Sequence, residues 1–205
     1  MLTSLTTSDG LALEALWHEP PAPRAAVLLC HPHPLHGGTM RAPLMEGITT
    51  RLVHQDIAVL RFNFRGVGAS EGDHERGIGE LLDVDAAMAE LRRAQPDVQH
   101  GIAGWSFGGA TSLLWTAERK EKLPWVGVAP PVTSERTPDL PDPARLPTGR
   151  RSFILGDRDQ FVSIEEVCGY AGEALAEVHI LPGSDHFFYF REDRVGDLVA
   201  DGILR

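Results

Sequence analysis

The sequence predicts an α/β protein in which a mostly parallel, doubly wound sheet forms one domain over residues 1–205. Short apolar runs that are typical of buried strands alternate with segments whose apolar residues recur every three or four positions, as in amphipathic helices. The run at residues 25–30, Ala-Ala-Val-Leu-Leu-Cys, is apolar throughout, which is typical of a central strand covered on both faces. A chain of 205 residues is also long enough to bury a core without a metal or a disulfide.

An antiparallel hairpin is predicted at the start of the chain. Its strands cover residues 2–7 and 11–18, and Asp9-Gly10 supplies the turn between them. The first helix is predicted to begin behind a Thr39 cap. Apolar residues then recur every four positions, at Met40, Leu44, Ile48 and Leu52.

The rest of the chain continues this alternation. Further strands are predicted at residues 57–62, 98–103, 125–129, 152–155 and 178–181. One helix carries apolar residues at Leu81, Val84, Met88 and Leu91, and the next covers residues 110–117. A capping box from Ser163 to Glu166 opens another helix, and a last one carries Val195, Leu198, Val199 and Ile203. This order predicts right-handed crossovers between parallel strands.

The connection between residues 129 and 152 is rich in proline, with Pro130, Pro131, Pro138, Pro141, Pro143 and Pro147. Proline lacks a backbone N–H and interrupts helices, so this segment is expected to run extended over the surface. The sequence therefore predicts no helical cap domain, and an open cleft.

Composition and charge exclude several classes of partner. The net charge of −10 argues against nucleic acid or an anionic membrane, because both require a cationic surface. No signal-peptide pattern or apolar run of membrane-spanning length is present, so a cytoplasmic protein is expected. Cys30 and Cys168 are expected to be buried thiols, and no cofactor is predicted. Nothing in the sequence indicates the oligomeric state.

Residues 104–109, Gly-Trp-Ser-Phe-Gly-Gly, join a predicted strand to a predicted helix within a few positions. Such a corner leaves no room for side chains two positions either side of Ser106, where Gly104 and Gly108 lie. The turn lifts the Ser106 hydroxyl out of the sheet and directs the Phe107 amide toward any oxyanion that forms. The alternative is a Gly-rich turn with an incidental serine.

Other polar segments follow the predicted strands. In a parallel sheet, functional residues belong in the loops after the carboxyl ends of the strands. Those loops are residues 31–38, 65–72, 156–159 and 182–186, and they contain histidines and aspartates. A serine, an acid and a histidine therefore converge on one edge of the sheet.

The chain resembles the α/β-hydrolase superfamily over nearly its full length. The catalytic order serine, aspartate, histidine and the corner at Ser106 carry this resemblance. Residues 63–70 are similar to the superfamily's loop after its fourth strand, and residues 31–34, His-Pro-His-Pro, stand where many members have His-Gly. Among its members the chain resembles the small, lid-poor serine hydrolases akin to dienelactone hydrolases and short-chain esterases or thioesterases. Dienelactone hydrolase itself has a cysteine where this chain has Ser106.

The resemblance implies an α/β-hydrolase fold in which Ser106 is the nucleophile and His186 the base. The acid is expected at Asp159, because the superfamily places it in a Gly-x-x-Asp sequence and Gly156 precedes Asp159 by three residues. Asp157 remains an alternative. Asp185 is less favoured, since a residue adjacent to His186 has difficulty reaching back to Nδ1 of its ring.

The Phe107 amide is one expected oxyanion donor, and the loop after Cys30 supplies the second. Pro32 and Pro34 have no N–H, which leaves the amide of His33 or of Leu35. The resemblance favours His33, whereas the unusual prolines could turn Leu35 inward.

The side chains of His31, His33 and His36 raise the question of a metal site. Two prolines keep them from helical spacing, and no acidic residue is near them in sequence, so no metal is predicted. His31 is instead expected to be a buried polar group that holds the loop.

These residues predict a serine hydrolase that acts on carboxylic esters or thioesters, small molecules with short or compact acyl groups. The cleft is expected to be bordered by apolar side chains, namely Trp105, Leu35, Phe187 and Phe188. The alternative is a non-catalytic small-molecule binding protein with the same fold, because a fold does not by itself establish a function.

Overall fold

A computed structural model describes all residues from Met1 to Arg205. The strands are β1 (Leu2–Thr6), β2 (Ala12–His18), β3 (Ala25–Cys30), β4 (Ile57–Phe62), β5 (Gln99–Trp105), β6 (Trp125–Val128), β7 (Arg151–Gly156) and β8 (Glu177–Leu181). The helices are α1 (Pro43–Val53), α2 (Glu80–Ala94), α3 (Phe107–Arg119), α4 (Ile164–Glu173) and α5 (Glu192–Leu204). Two short 3₁₀ helices cover Pro34–His36 and Pro143–Arg145.

All eight strands form one sheet in the order β1-β2-β4-β3-β5-β6-β7-β8. The pairs β1–β2 and β2–β4 are antiparallel, and every other neighbouring pair is parallel. This confirms the predicted fold class, including the hairpin at the N-terminus. The apolar run at Ala25–Cys30 is the strand β3, which lies between β4 and β5 and is buried at every position.

Helices pack on the sheet in pairs, α1 against α5 and α2 against α3. Glycine lets α1 and α5 approach closely, because a Cβ on Gly47 would lie 2.4 Å from the Cβ of Glu192, and one on Gly196 would lie 2.6 Å from the Cβ of Arg51. The core between helices and sheet contains 51 buried residues. This framework brings the carboxyl ends of β3, β5, β7 and β8 to one edge.

The predicted start of α1 behind Thr39 is wrong. The helix begins at Pro43, and Ala42 before it is extended, with φ −58° and ψ 145°, because a residue that precedes proline is kept out of the helical region. Met40 lies in the preceding loop and is buried there. Its N–H donates to Asn63 Oδ1 at 2.9 Å, and its carbonyl accepts from Arg61 Nη1 at 2.7 Å.

The two cysteines have different environments. Cys30 is buried in β3 as predicted, but Cys168 is exposed, so the prediction of a buried thiol is wrong there. Only one face of α4 packs on the protein, through Val167, Tyr170 and Ala171, and position 168 lies outside that face.

The connection between β6 and β7 contains only the short 3₁₀ helix Pro143–Arg145. The Tyr170 hydroxyl donates to the Pro141 carbonyl at 2.6 Å and fastens this segment to α4. The prediction that no cap domain covers the sheet edge is therefore confirmed. Separately, none of the five helices combines the length and apolar character that a membrane span requires.

Candidate active site

Ser106 lies at the corner between β5 and α3. Its backbone angles, φ 53° and ψ −115°, are rare for a residue other than glycine. The corner is closed because glycine stands on both sides of it. A Cβ on Gly104 would lie 2.3 Å from the carbonyl of Gly108, and a Cβ on Gly108 would lie 2.4 Å from the carbonyl oxygens of Cys30 and His31. Backbone packing thus leaves no room for a side chain at these two positions unless the backbone shifts.

The strained corner is held by its neighbours. The Ser106 N–H donates to the Val128 carbonyl at 2.8 Å, which ties the corner to the end of β6. Strain of this kind costs about 1–3 kcal/mol and persists only where the surrounding structure enforces it. Phe107 begins α3, so the helix has no carbonyl four residues earlier to accept its N–H.

Asp159 and His186 form a buried pair at the carboxyl ends of β7 and β8. The distance from His186 Nδ1 to Asp159 Oδ2 is 2.8 Å, and the side chains are 8% and 1% exposed respectively. Asp159 Oδ1 accepts the N–H groups of Phe161 and Val162 at 2.8 and 3.0 Å. Hydrogen bonds therefore hold both oxygens of the Asp159 carboxylate.

The other candidate acids, Asp157 and Asp185, form hydrogen bonds with backbone amides. Asp157 Oδ1 accepts the Gly183 N–H at 2.6 Å and shapes the turn after β8. Asp185 Oδ1 accepts the N–H groups of Phe187 and Phe188, at 2.9 and 3.1 Å. Only Asp159 reaches the imidazole of His186.

Two contacts position the loop that carries His186. Gly156 lets this loop approach β7, because a Cβ there would lie 2.3 Å from the Ser184 carbonyl oxygen. Trp105 Nε1 donates to the His186 carbonyl at 3.1 Å, so the loop is also tied to the end of β5. These contacts bring His186 to the edge that carries Ser106.

Ser106 and His186 line one cleft of about 720 Å³. Its lining includes four aromatic side chains, Trp105, Phe161, Phe187 and Tyr189. Pro32, His33, Pro131 and Arg136 also line it. The Ser106 hydroxyl forms no hydrogen bond to the imidazole in this structure. Such bonds are often long before substrate binds, so the shared cleft is the relevant geometry.

The two candidate donors in the loop after β3 differ in their hydrogen bonding. The Leu35 N–H donates to Nδ1 of His33 at 3.1 Å, and the Leu35 side chain is 72% exposed. The His33 N–H forms no hydrogen bond within the protein. His33 Nε2 in turn donates to the Arg136 carbonyl at 2.7 Å. Burial lowers the pKa of His33, which favours the neutral ring that these two bonds need.

His31 holds the base of the same loop. Its Nδ1 donates to the Pro32 carbonyl at 2.6 Å, and its Nε2 accepts the Phe64 N–H at 3.0 Å. The side chain is fully buried, which lowers its pKa to about 4. The rings of His33 and His36 lie 4.6 Å apart, but no group of His, Cys, Asp or Glu side chains is arranged to hold a metal ion.

The apolar border of the cleft differs from the prediction at two positions. Trp105 and Phe187 line it as expected. Phe188 lies in the core with no exposed surface, because the backbone turns at Phe188 itself, with φ 54°. Leu35 lies outside the cleft, beside a neighbouring pocket.

Further residues line the cleft, among them Phe161, Tyr189 and Arg136. Phe161 packs its ring edge-on against the imidazole of His186, with centroids 5.1 Å apart. Tyr189 stacks on Phe187 at 5.7 Å. Phe161 was not predicted from the sequence, although its position two residues after Asp159 could have indicated it. Arg136 comes from the proline-rich connection, and no motif marks it.

Comparison with known proteins identifies the family to which the chain belongs. Residues 23–198 match the family model described as an alpha/beta hydrolase domain. An uncharacterized protein of Rickettsia prowazekii (strain Madrid E) is 33% identical over 194 residues, which cover 90% of this chain and 80% of that protein.

Two solved structures are similar over almost the whole chain. An alpha-beta serine hydrolase homologue from Coxiella burnetii has a TM-score of 0.85 and 28% identity, covering 98% of this chain and 96% of its own. A serine hydrolase without a lid from Xanthomonas campestris has a TM-score of 0.86 and 26% identity, covering 99% and 93%. The chain belongs to the alpha/beta hydrolase family.

The packing at Gly108 predicts a stability cost for any side chain there. Gly108→Ala should lower the free energy of unfolding by about 1–3 kcal/mol, because its Cβ would meet backbone carbonyls that cannot move independently. Urea denaturation at pH 7 measures this. Gly169→Ala is the matched control in α4: nothing lies within 4 Å of its added Cβ, so it should be neutral or stabilising. A Gly108→Ala protein as stable as the wild type would contradict the packing argument.

Burial of His31 predicts a loss of stability in acid. The unfolded chain takes up a proton at His31 near pH 6.5, whereas folded His31, with its pKa lowered to about 4, stays neutral. Falling pH therefore favours unfolding between those values, by up to about 1.4 kcal/mol per pH unit. The unfolding free energy should fall more steeply from pH 7 to 4 in the wild type than in His31→Gln. Parallel curves would mean that His31 is protonated in the folded state.

Proposed function

We propose that this protein is a serine hydrolase that cleaves carboxylic esters or thioesters through an acyl-enzyme on Ser106. The buried Asp159–His186 pair, with 2.8 Å between Oδ2 and Nδ1, carries the proposal because it opens on the same cleft as the strained serine. A binding protein has no need of a carboxylate fixed by two amides and turned toward one imidazole. The serine hydrolase structures from Coxiella burnetii and Xanthomonas campestris add support.

In the first half of the reaction, Ser106 attacks the substrate carbonyl. Serine is a weak nucleophile until a base takes its proton, and the base here is Nε2 of His186. Asp159 accepts the Nδ1–H, which leaves the Nε2 lone pair free to face the cleft and stabilises the imidazolium that forms. The amides of Phe161 and Val162 keep the carboxylate from rotating away.

The negative charge that develops on the carbonyl oxygen needs preorganised donors. The Phe107 N–H at the positive end of α3 is one, and the unpartnered His33 N–H is the other. The Leu35 N–H is already bonded to the His33 ring, so it is not available. Loss of one such donor typically costs about 10²–10³ in rate.

The imidazolium of His186 then passes its proton to the leaving alcohol or thiol, and the acyl group stays on Ser106. In the second half of the reaction the same imidazole takes a proton from water, whose oxygen attacks the acyl carbonyl. The imidazolium returns this proton to Ser106 as the ester bond breaks, which releases the acid and regenerates the enzyme. No metal or cofactor enters this scheme.

The proposal predicts labelling at one serine. The wild type should react with a fluorophosphonate probe and hydrolyse p-nitrophenyl acetate, and Ser106→Ala should do neither while keeping the wild-type circular dichroism spectrum. Asp159→Asn should lower kcat on the order of 10³- to 10⁴-fold, because the imidazole loses the partner that sets its tautomer.

Asp157→Asn is the matched control, since that carboxylate bonds Gly183 and not His186. A larger loss of kcat for Asp157→Asn than for Asp159→Asn would overturn the assignment of the acid. A folded wild type that resists the probe would favour a non-catalytic binding protein with this fold.

The absent cap domain predicts the chain-length preference. A cleft without a lid leaves most of a long acyl chain in water, and each exposed methylene forfeits about 0.8 kcal/mol of binding. Butyrate esters should therefore have a higher kcat/KM than palmitate esters, and no rise should occur above the critical micelle concentration. Rates measured below and above that concentration test this. Interfacial activation would show that the connection between β6 and β7 moves as a lid.

A further inference from the structure

The charge of the residues that line the cleft differs from that of the protein as a whole. The chain has 29 acidic and 19 basic residues, yet no Asp or Glu lines the cleft, and Arg136 is the one permanently charged side chain in its wall. Most other arginines of the chain form ion pairs, such as Arg65 with Asp83 and Arg145 with Glu118. The Arg136 guanidinium has no such partner.

The backbone of Arg136 is nevertheless held on both sides. Its N–H donates to Ser134 Oγ at 3.1 Å, and its carbonyl accepts from Nε2 of His33 at 2.7 Å. The second bond comes from the loop that presents the proposed oxyanion donor. The backbone of Arg136 is therefore tied to the loop after β3, and its side chain is exposed in the cleft that Ser106 also lines.

Positive charge continues beyond Arg136. A neighbouring pocket of about 390 Å³ shares Arg136 and His33 with the cleft, and its other charged or titratable lining residues are His36, His74, Arg76 and Glu135. Two arginines face one carboxylate there. Among the residues that line this pocket, permanent positive charges therefore outnumber negative ones, in contrast to the protein as a whole.

We propose that the substrate of this hydrolase carries an anionic group, a carboxylate or a phosphate, that binds Arg136 while the reacting carbonyl lies at Ser106. The inference rests on the proposed function and names its substrate class. A guanidinium suits this role because its planar donors bind carboxylate and phosphate oxygens in pairs.

Two matched pairs of substrates test the proposal. Mono-p-nitrophenyl glutarate differs from p-nitrophenyl pentanoate by a terminal carboxylate on the acyl side, and S-acetyl-phosphopantetheine differs from S-acetyl-pantetheine by a phosphate on the leaving side. For each pair the measured quantity is the ratio of kcat/KM, anionic over neutral, after subtraction of the uncatalysed rate. The pair that responds identifies the anion.

Arg136→Gln should lower that ratio about tenfold for at least one pair, whereas Arg136→Lys should retain part of the preference. Arg194→Gln, at an exposed arginine of α5 without an ion pair, is the matched control and should leave the ratio unchanged. The preference should also weaken as salt is added, because salt screens exposed charges. Equal ratios in Arg136→Gln and the wild type, for both pairs, would overturn the inference.

A binding measurement separates this inference from the proposed reaction. In the Ser106→Ala background the esters stay intact, so their Kd is measured directly by titration calorimetry. Arg136→Gln should weaken binding of the anionic probe about tenfold relative to its neutral partner. If the wild type hydrolyses none of the four compounds but this difference is found, the proposed function fails and the anion site stands. If hydrolysis is found without any dependence on Arg136, the proposed function stands and the anion site fails.

Discussion

The contact between α3 and the end of β3 determines the geometry on which the candidate site depends. At Gly108 the first turn of α3 lies directly against the carbonyls of Cys30 and His31, with no side chain between them. That contact fixes the Phe107 amide relative to the loop that presents the His33 amide. It also fixes the corner at Ser106, so the nucleophile and both proposed oxyanion donors are located by backbone packing, without flexible side chains. Such sites tolerate little error, because misplacement by about 1 Å can cost two orders of magnitude in rate.

Much of the framework could be predicted from the sequence because local patterns encode it. The apolar run in β3, the turn at Asp9-Gly10 and the glycines around Ser106 each constrain the backbone directly, and the structure agrees at all three. The order of polar loops after strands also located Asp159 and His186 at one edge. The predicted start of α1 at Thr39 was wrong because the ring of Pro43 keeps Ala42 extended, so the helix begins only at Pro43.

The features that the sequence did not reveal are of two kinds. The bond from the Leu35 N–H to the ring of His33, two residues earlier, and the left-handed turn at Phe188 are local, but no residue pattern marks them. Arg136 reaches the cleft only because the proline-rich connection returns past residues 31–38. Separations of about a hundred residues leave no periodic pattern for a single sequence to display.

The ring of His33 connects two segments that are far apart in the sequence. One nitrogen accepts from the Leu35 amide and the other donates to the Arg136 carbonyl, so the loop after β3 and the connection after β6 share a single imidazole. Residues inserted between Ala129 and Arg136 would move that carbonyl and disturb the loop at the same time. Residues inserted after Pro141, whose carbonyl accepts a hydrogen bond from the Tyr170 hydroxyl, would not disturb the loop. New specificity elements, such as an engineered cap, therefore belong in the second half of the connection, where the chain can lengthen without altering the geometry around Ser106.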